Sequence, residues 1–356
     1  TVMLIPQSLA YALLAGLPPQ VGLYASILPI LAYALLGSSM TLAVGPVAVA
    51  SLMTASALQP LAVAGSADYV ALAMLLSLLS GGMLLLFGAL RLGFMAHFLS
   101  HPVISGFISG SAILIAVGQV KPLLGVKAGG TNVLDTLIQL AQAVPHTHGV
   151  TLGIGAGSVL FLWLARKYLA PWLVRAGVSP KLADIASRLA PMLAVVVSTA
   201  LVAALRWDQT AGVSIVGAVP QGLPTLALPK LSLPAIGQLW LPALLISLVG
   251  FVESVSVAQS LALQRQQRIN PNRELLGLGA ANVASALSGG FPVTGGFARS
   301  VVNFAAGANT PLAGVISAVL MGVVIASLTG LFHYLPQAVL AATIIVAVVS
   351  LIDIQT

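Results

Sequence analysis

Two charged residues lie inside apolar stretches, where a charge needs a reason. Arg299 follows Phe291-Pro-Val-Thr-Gly-Gly296 and is the one basic residue read as well inside an apolar segment. Glu253 lies within Leu248-Val-Gly-Phe-Val-Glu-Ser-Val-Ser-Val257 and is the one carboxylate read as deep in a long segment. A guanidinium in such surroundings either attracts and binds an anion or clamps backbone carbonyls. A carboxyl group held between apolar surroundings, which favour its neutral form, and a nearby cation, which favours its charged form, can load and release a proton. The competing readings of Glu253 are a permanent ion partner of Arg299 and a cation ligand. Gln7 and Tyr11, spaced i and i+4, share one helix face and offer N–H and O–H donors to an oxyanion, or to a neighbouring helix.

Two glycine-punctuated stretches supply backbone chemistry. Thr41-Leu-Ala-Val-Gly-Pro46 and Phe291-Pro-Val-Thr-Gly-Gly296 read as short strands, each leading into a helix too short to cross a membrane, at about 46–58 and 297–308. A helix N-terminus leaves N–H groups unpaired and carries about half a positive charge. Two such ends facing one cavity bind an anion with no charged side chain, and glycine lets the ligand approach the backbone.

The elements that position these groups are membrane segments. The chain has 356 residues, 59% hydrophobic and only 6% charged, against about 25% charged in a soluble domain. Its mean hydropathy is +1.07. Long apolar segments are expected at about 2–15, 20–36, 69–90, 95–118, 149–169, 189–206, 237–260, 274–289, 311–331 and 335–352. The stripe Leu134, Leu137, Ile138, Ala141 predicts a helix lying on the membrane surface over 131–144. With the start of the first segment placed in the cytoplasm, nine basic residues fall on that side (Arg91, Arg166, Lys167, Arg175, Lys181, Arg188, Arg265, Arg268, Arg273) and four on the other (Lys121, Lys127, Arg206, Lys230), as the positive-inside rule requires. The net charge of +7 therefore reflects topology, and no nucleic-acid partner is expected.

The pattern of two long segments, strand, half-helix and long segments starts at residue 1 and again near 237, from opposite sides: an inverted repeat. The expected fold is an all-α polytopic membrane protein of the seven-plus-seven inverted-repeat type. Residues 1–206 form the first repeat, 207–236 an extracellular connection, and 237–356 a second repeat that lacks two segments.

Other residues read as structural. Asn282 is interhelix glue, Gly106, Gly110, Gly277 and Gly279 are close-packing positions, and His97, His101, His146 and His148 have no metal spacing or paired acid. No cysteine, phosphate-binding G-x-x-x-x-G-K-[ST] or H-E-x-x-H motif occurs, and Ser109-Gly-Ser111 has no base to activate it. No enzymatic activity, cofactor or metal is expected. Thr1 to Leu9 show no basic n-region and no cleavage site, so no signal peptide is read there.

Leu4-Ile-Pro-Gln-Ser-Leu-Ala-Tyr-Ala12, Ala15-Gly-Leu-Pro-Pro19, Gly22-Leu-Tyr24, Val44-Gly-Pro-Val-Ala48, His101-Pro-Val-Ile-Ser-Gly-Phe107 and Gly290-Phe-Pro-Val-Thr-Gly-Gly-Phe-Ala-Arg-Ser300 resemble the signature motifs of the sulfate permease (solute carrier 26) family. The resemblance runs along nearly the whole chain. It implies fourteen segments split into core and gate domains, anion transport by an elevator-like motion across the plasma (inner) membrane, a homodimer set in membrane lipid, and a following cytoplasmic STAS domain. Carried over by position, Gln7, Tyr11, the backbone of Gly45, Pro46, Val47 and Ala48, and Gly296, Phe297, Ala298 and Arg299 form the anion site. Glu253 falls where proton-coupled members carry their acid. The family often has Ser where this chain has Gly296 and Ala298, which leaves room for a larger carboxylate. The expected activity is symport of a proton with sulfate, bicarbonate or a dicarboxylate. The rival readings are an uncoupled exchanger or channel, a nucleobase transporter of related architecture, and an intramembrane enzyme.

Overall fold

A computed structural model describes residues 1–98, 101–127, 132–350 and 352; for His101 and Ile104 it describes backbone alone. The motif residue His101 therefore has its side chain outside the described part, and the end of the last expected segment lies partly outside it.

The helices, in chain order, begin with Leu4–Leu14 (α1), Pro19–Tyr24 (α2), Leu28–Leu36 (α3), Ala48–Leu58 (α4), Ala67–Ala89 (α5) and His101–Leu124 (α6). They continue with Val133–Ala143 (α7), Gly149–Leu164 (α8), Ala170–Arg175 (α9), Pro180–Arg188 (α10), Ala190–Leu205 (α11) and Trp207–Thr210 (α12). The last are Leu233–Gln264 (α13), Pro271–Leu287 (α14), Phe297–Ala305 (α15), Leu312–Ser327 (α16) and Gln337–Val349 (α17). Two short strands, Val44–Gly45 (β1) and Thr294–Gly295 (β2), pair antiparallel.

Among the described residues, five spans are long and apolar enough to cross a membrane, and a sixth if α10 and α11, bent by 47°, count as one. Helices α1, α14, α16 and α17, of 11, 17, 16 and 13 residues, fall short of the roughly 20 residues a full crossing takes. The expected segment at 20–36 is broken into α2 and α3, with Pro29 opening the second helix, where its fixed φ and missing N–H are harmless. The segment expected at 95–118 is shifted. Arg91 adopts a left-handed φ of 57° after α5, a 3-10 turn covers Leu92–His97, and α6 runs from His101 to Leu124. A helix, α7, forms within the stretch 131–144, with Leu134 and Ile138 exposed.

The stretch 170–188, which lies between the segments expected at 149–169 and 189–206, is largely helical. A π-helical turn at Ala165–Leu169 extends α8 into α9. In α10 the Ser179 side chain caps the Leu182 N–H, Pro180 occupies the first turn, and Arg188 pairs with Asp184 at 3.0 Å.

The chain divides into two units. Apart from the first two residues, one comprises Met3–Gly106 and Gln221–Ser327, the other Phe107–Pro220 and Leu328–Thr356. In the first, α14 packs closely on α5. A methyl group at Gly81 would meet the Val283 nitrogen at 2.7 Å, and one at Gly279 the Leu85 nitrogen at 2.8 Å, so the crossing requires both glycines. The close-packing expectation fits Gly277 too, where an added methyl would meet Gly37 backbone at 2.8 Å, whereas at Gly106 and Gly110 no atom of the described residues lies within 4 Å of an added methyl. In the second unit α17 packs on α8, and Gln337 N–H donates to Ser214 C=O at 3.0 Å.

Candidate functional site

The site forms within the first unit, around the strand pair. Val44 stands opposite Gly295, and Gly45 opposite Thr294. The Gly296 N–H extends the ladder to Ala43 C=O at 2.9 Å. Helix α4 begins three residues after Gly45, and α15 two residues after Gly295. Because the strands run antiparallel, the two chains leave the pair in opposite directions. The helix starts stay close: a methyl group at Gly296 would lie 3.3 Å from Val47 Cγ1. Val47 and Gly296 are the N-caps, and neither receives a side-chain cap. The first intrahelical N–H bonds are Ser51 to Val47 C=O and Ser300 to Gly296 C=O. The amides of Ala48 to Ala50 and Phe297 to Arg299 are thus the orphan donors of two helix starts.

Arg299 is only 8% exposed. Its Nη1 donates to Pro46 C=O at 2.7 Å and to Gln7 Oε1 at 3.1 Å. Its Nη2 and Nε are buried with no hydrogen-bond partner among the described residues. Methyl groups at Gly45 and Gly296 would lie 3.1 and 3.0 Å from Nη2, so the guanidinium lies against both glycines. One edge of the fork clamps the loop, and the other is free. The clamp and the anion-binding readings are therefore compatible. With its oxygen taken by Arg299, Gln7 keeps its NH₂ group as a donor. Tyr11 is buried one turn along α1, within electrostatic reach of both Arg299 and Glu253. Phe297 is 48% exposed and Ala298 is also exposed, at the mouth of the α15 start.

Glu253 is 8% exposed, within α13, and its Oε2 is buried with no hydrogen-bond partner among the described residues. Arg188 and Asp184 form an ion pair; Glu253 and Arg299 do not. The reading of Glu253 as a permanent ion partner of Arg299 does not hold: no contact within 4.0 Å joins them. Nor do the described residues hold a metal-ligating cluster around it.

Three features escaped the sequence. Glu274 is fully buried, so Glu253 is not the sole interior carboxylate. It accepts bonds from Tyr33 Oη at 2.7 Å, Ser38 N and Oγ at 2.8 and 2.5 Å, and Ser39 N at 3.2 Å. This network fixes the chain entering β1. Its signal is Asn270-Pro-Asn-Arg-Glu274, a helix start with an acid in the first turn, but the partners lie some 240 positions away. Ser300 accepts from Ala43 N at 2.9 Å and donates to Gly296 C=O at 2.6 Å, tying α15 to the approach to β1. Arg265 donates to Phe304 C=O at 2.8 Å and to Ala308 C=O, holding the far end of α15. Asn282, expected between helices, instead binds the loop before β2: it donates to Val293 C=O and accepts from Val293 N. Of the other histidines, His148 caps α8 through Thr151.

The chain matches the profile of the sulfate permease family over residues 1–356, and it belongs to that family. It is 37% identical over 352 residues, 99% of its length, to the chloroplastic sulfate transporter 4.1 of Arabidopsis thaliana, of which it covers 50%. It spans about half to three-fifths of the length of such relatives. Its fold matches the transmembrane domain of a cyanobacterial bicarbonate transporter, BicA, with a TM-score of 0.84 and 26% identity over 99% of this chain and 86% of that one. It also matches the murine Solute Carrier 26 family member A9 anion transporter in the inward-facing state, with a TM-score of 0.90 and 23% identity over 100% of this chain and 59% of that one. The seven-plus-seven fold is thus the fold of this family.

Proposed function

We propose that the protein is a secondary anion transporter that carries an inorganic oxyanion, sulfate first among candidates, together with a proton. The anion lies at the starts of α4 and α15, bound by their free amides, by Nε and Nη2 of Arg299, and by the NH₂ group of Gln7 and the hydroxyl of Tyr11. The observation that carries this reading is the buried guanidinium with one edge unpartnered beside two uncapped helix starts. An unpaired buried charge is costly, and a bound anion removes the cost. Sulfate is favoured by the relatives' names, and bicarbonate, by the name of the cyanobacterial neighbour, is the second candidate.

Glu253 takes the proton. Its carboxyl has no cationic partner among the described residues, and protonation lowers the cost of moving the loaded site through the low-dielectric barrier. The half carrying the site moves as an elevator, within a homodimer in the plasma (inner) membrane. The reading is tested by uptake of labelled sulfate, bicarbonate and a dicarboxylate into proteoliposomes, with and without an inward proton gradient, for wild type and Glu253→Gln. One anion accumulating only with the gradient, and loss of that dependence in the variant, supports the reading. Uptake indifferent to the gradient, or a variant matching wild type, refutes proton coupling through Glu253.

A further inference from the structure

We propose that the hydroxyl pair Ser254–Thr294 is the positioning device that links the state of Glu253 to the geometry of the anion site. The proposal rests on the reading of Glu253 as the proton carrier. Ser254 and Thr294 are 0% and 3% exposed, and their oxygens are 2.6 Å apart. Ser254 Oγ accepts from Gly295 N at 2.9 Å, and Thr294 Oγ1 is 2.7 Å from Gly250 C=O.

The proton positions in this chain are fixed by its ends. An amide N–H can only donate, and a carbonyl oxygen can only accept. The Thr294 proton therefore goes to Gly250 C=O, and the Ser254 proton goes to Thr294. The result is one directed circuit: Gly295 N–H to Ser254, Ser254 to Thr294, Thr294 to the Gly250 carbonyl. It grips β2 to the turn of α13 that bears Glu253.

Successive helix residues are about 100° apart around the axis, so Ser254 holds β2 while the adjacent Glu253 presents its carboxyl elsewhere. Among the described residues, Tyr11 on α1 is the titratable group within electrostatic reach of Glu253, and Arg299 on α15 is within reach of Tyr11. The grip has no slack. A methyl group at Gly250 would sit 3.0 Å from Thr294 Oγ1, and one at Gly295 would sit 2.9 Å from Ser254 Oγ. Because β2 pairs with β1 and the two half-helices start within three residues of that pair, a shift of the Glu253 turn moves both anion-binding helix starts. Neither hydroxyl touches the anion. They act on the anion site through β2.

The test measures the ratio of sulfate uptake with an inward proton gradient to uptake without one, in proteoliposomes. Gradient-free sulfate counterflow serves as an independent measure of a folded, binding-competent site. Thr294→Val keeps shape and removes the hydroxyl, Ser254→Ala removes the other, and Thr294→Ser keeps the hydroxyl. The expected result is a ratio falling toward one in Thr294→Val and Ser254→Ala, counterflow within about threefold of wild type, and a wild-type ratio in Thr294→Ser. If Thr294→Val does not fold, the Ser254→Ala and Thr294→Ser pair decides. Variants that keep the wild-type ratio, or lose counterflow and gradient response in equal proportion, overturn the proposal. A wild-type ratio of one refutes the reading of Glu253 itself, and with it this proposal.

Discussion

Helix α15 spans nine residues, about 13 Å, and helices shorter than about 12 residues are marginal on their own. Its N-terminal amides have no side-chain cap, so its stability has to come from its flanks and its far end. Arg265 supplies the far end: its guanidinium donates to the carbonyls of Phe304 and Ala308 and stacks 4.1 Å from the Phe304 ring centroid. Each charge-assisted bond is worth about 1.5–3 kcal/mol, the cation–π contact about 0.5–1, and a cation at a helix C-terminus about 0.3–1. The lower ends of these ranges sum to about 4 kcal/mol, and because Arg265 is only partly buried, solvent screening brings the cost of Arg265→Ala to about 3 kcal/mol. Lysine keeps the charge but loses the fork, and Arg265→Lys is expected to cost about half as much. At about 2 °C per kcal/mol for a chain of this size, the midpoint of thermal unfolding falls by about 6 °C in the alanine variant. Amide hydrogen exchange over 297–309 accelerates before the rest of the first unit does, because loss of the end clamp frays α15 locally. Unchanged exchange over 297–309 in Arg265→Ala would refute the idea that this side chain holds the half-helix.

Removing Glu274 leaves Tyr33 and the amides of Ser38 and Ser39 without their acceptor; at about 1–3 kcal/mol per stranded donor, Glu274→Ala is expected to lose most of its folded yield in detergent, whereas a full wild-type yield and melting curve would contradict the network. Gly81→Val forces α5 and α14 apart, since even a methyl would sit 2.7 Å from the Val283 nitrogen; overpacking of this kind costs about 1–3 kcal/mol or more, read as a lower unfolding midpoint, while the same change at Gly82, with open space around it, should leave the midpoint in place. Asn282→Ala strands both backbone groups of Val293 and should lower affinity for sulfate through the displaced β2; measured affinity equal to wild type would separate that loop from the site.

Much of this arrangement is legible in the sequence, because a membrane imposes strong rules. Glycine and proline at Gly45, Pro46, Gly295 and Gly296 mark the two places where a span is broken by a strand, and the cost of burying Arg299 and Glu253 marks them as purposeful. Helix α7 follows from its stripe of Leu134, Leu137 and Ile138. What stayed hidden depends on distant partners. Nothing near Glu274 announces Tyr33 and Ser38, and nothing near Arg265 announces Phe304, since these contacts join segments separated by about 40 to 240 positions. Helix α10 was missed for another reason: its polar composition does not look like a membrane segment, although Ser179-Pro180 and the Asp184–Arg188 spacing carry the start and i, i+4 signals of a helix. That Glu253 and Arg299 form no ion pair is a property of the three-dimensional arrangement alone, because opposite charges in one neighbourhood suggest a bond that the geometry does not make.

The most direct test of the account is to locate the anion. Selenate replaces sulfate at saturating concentration, and its anomalous scattering marks its position in crystals of the protein. The account predicts a peak within hydrogen-bond reach, about 3 Å, of the amides opening α4 and α15 and of Arg299 Nη2, and its loss in Arg299→Gln. A peak elsewhere, or one at the same place and strength in Arg299→Gln, would contradict it.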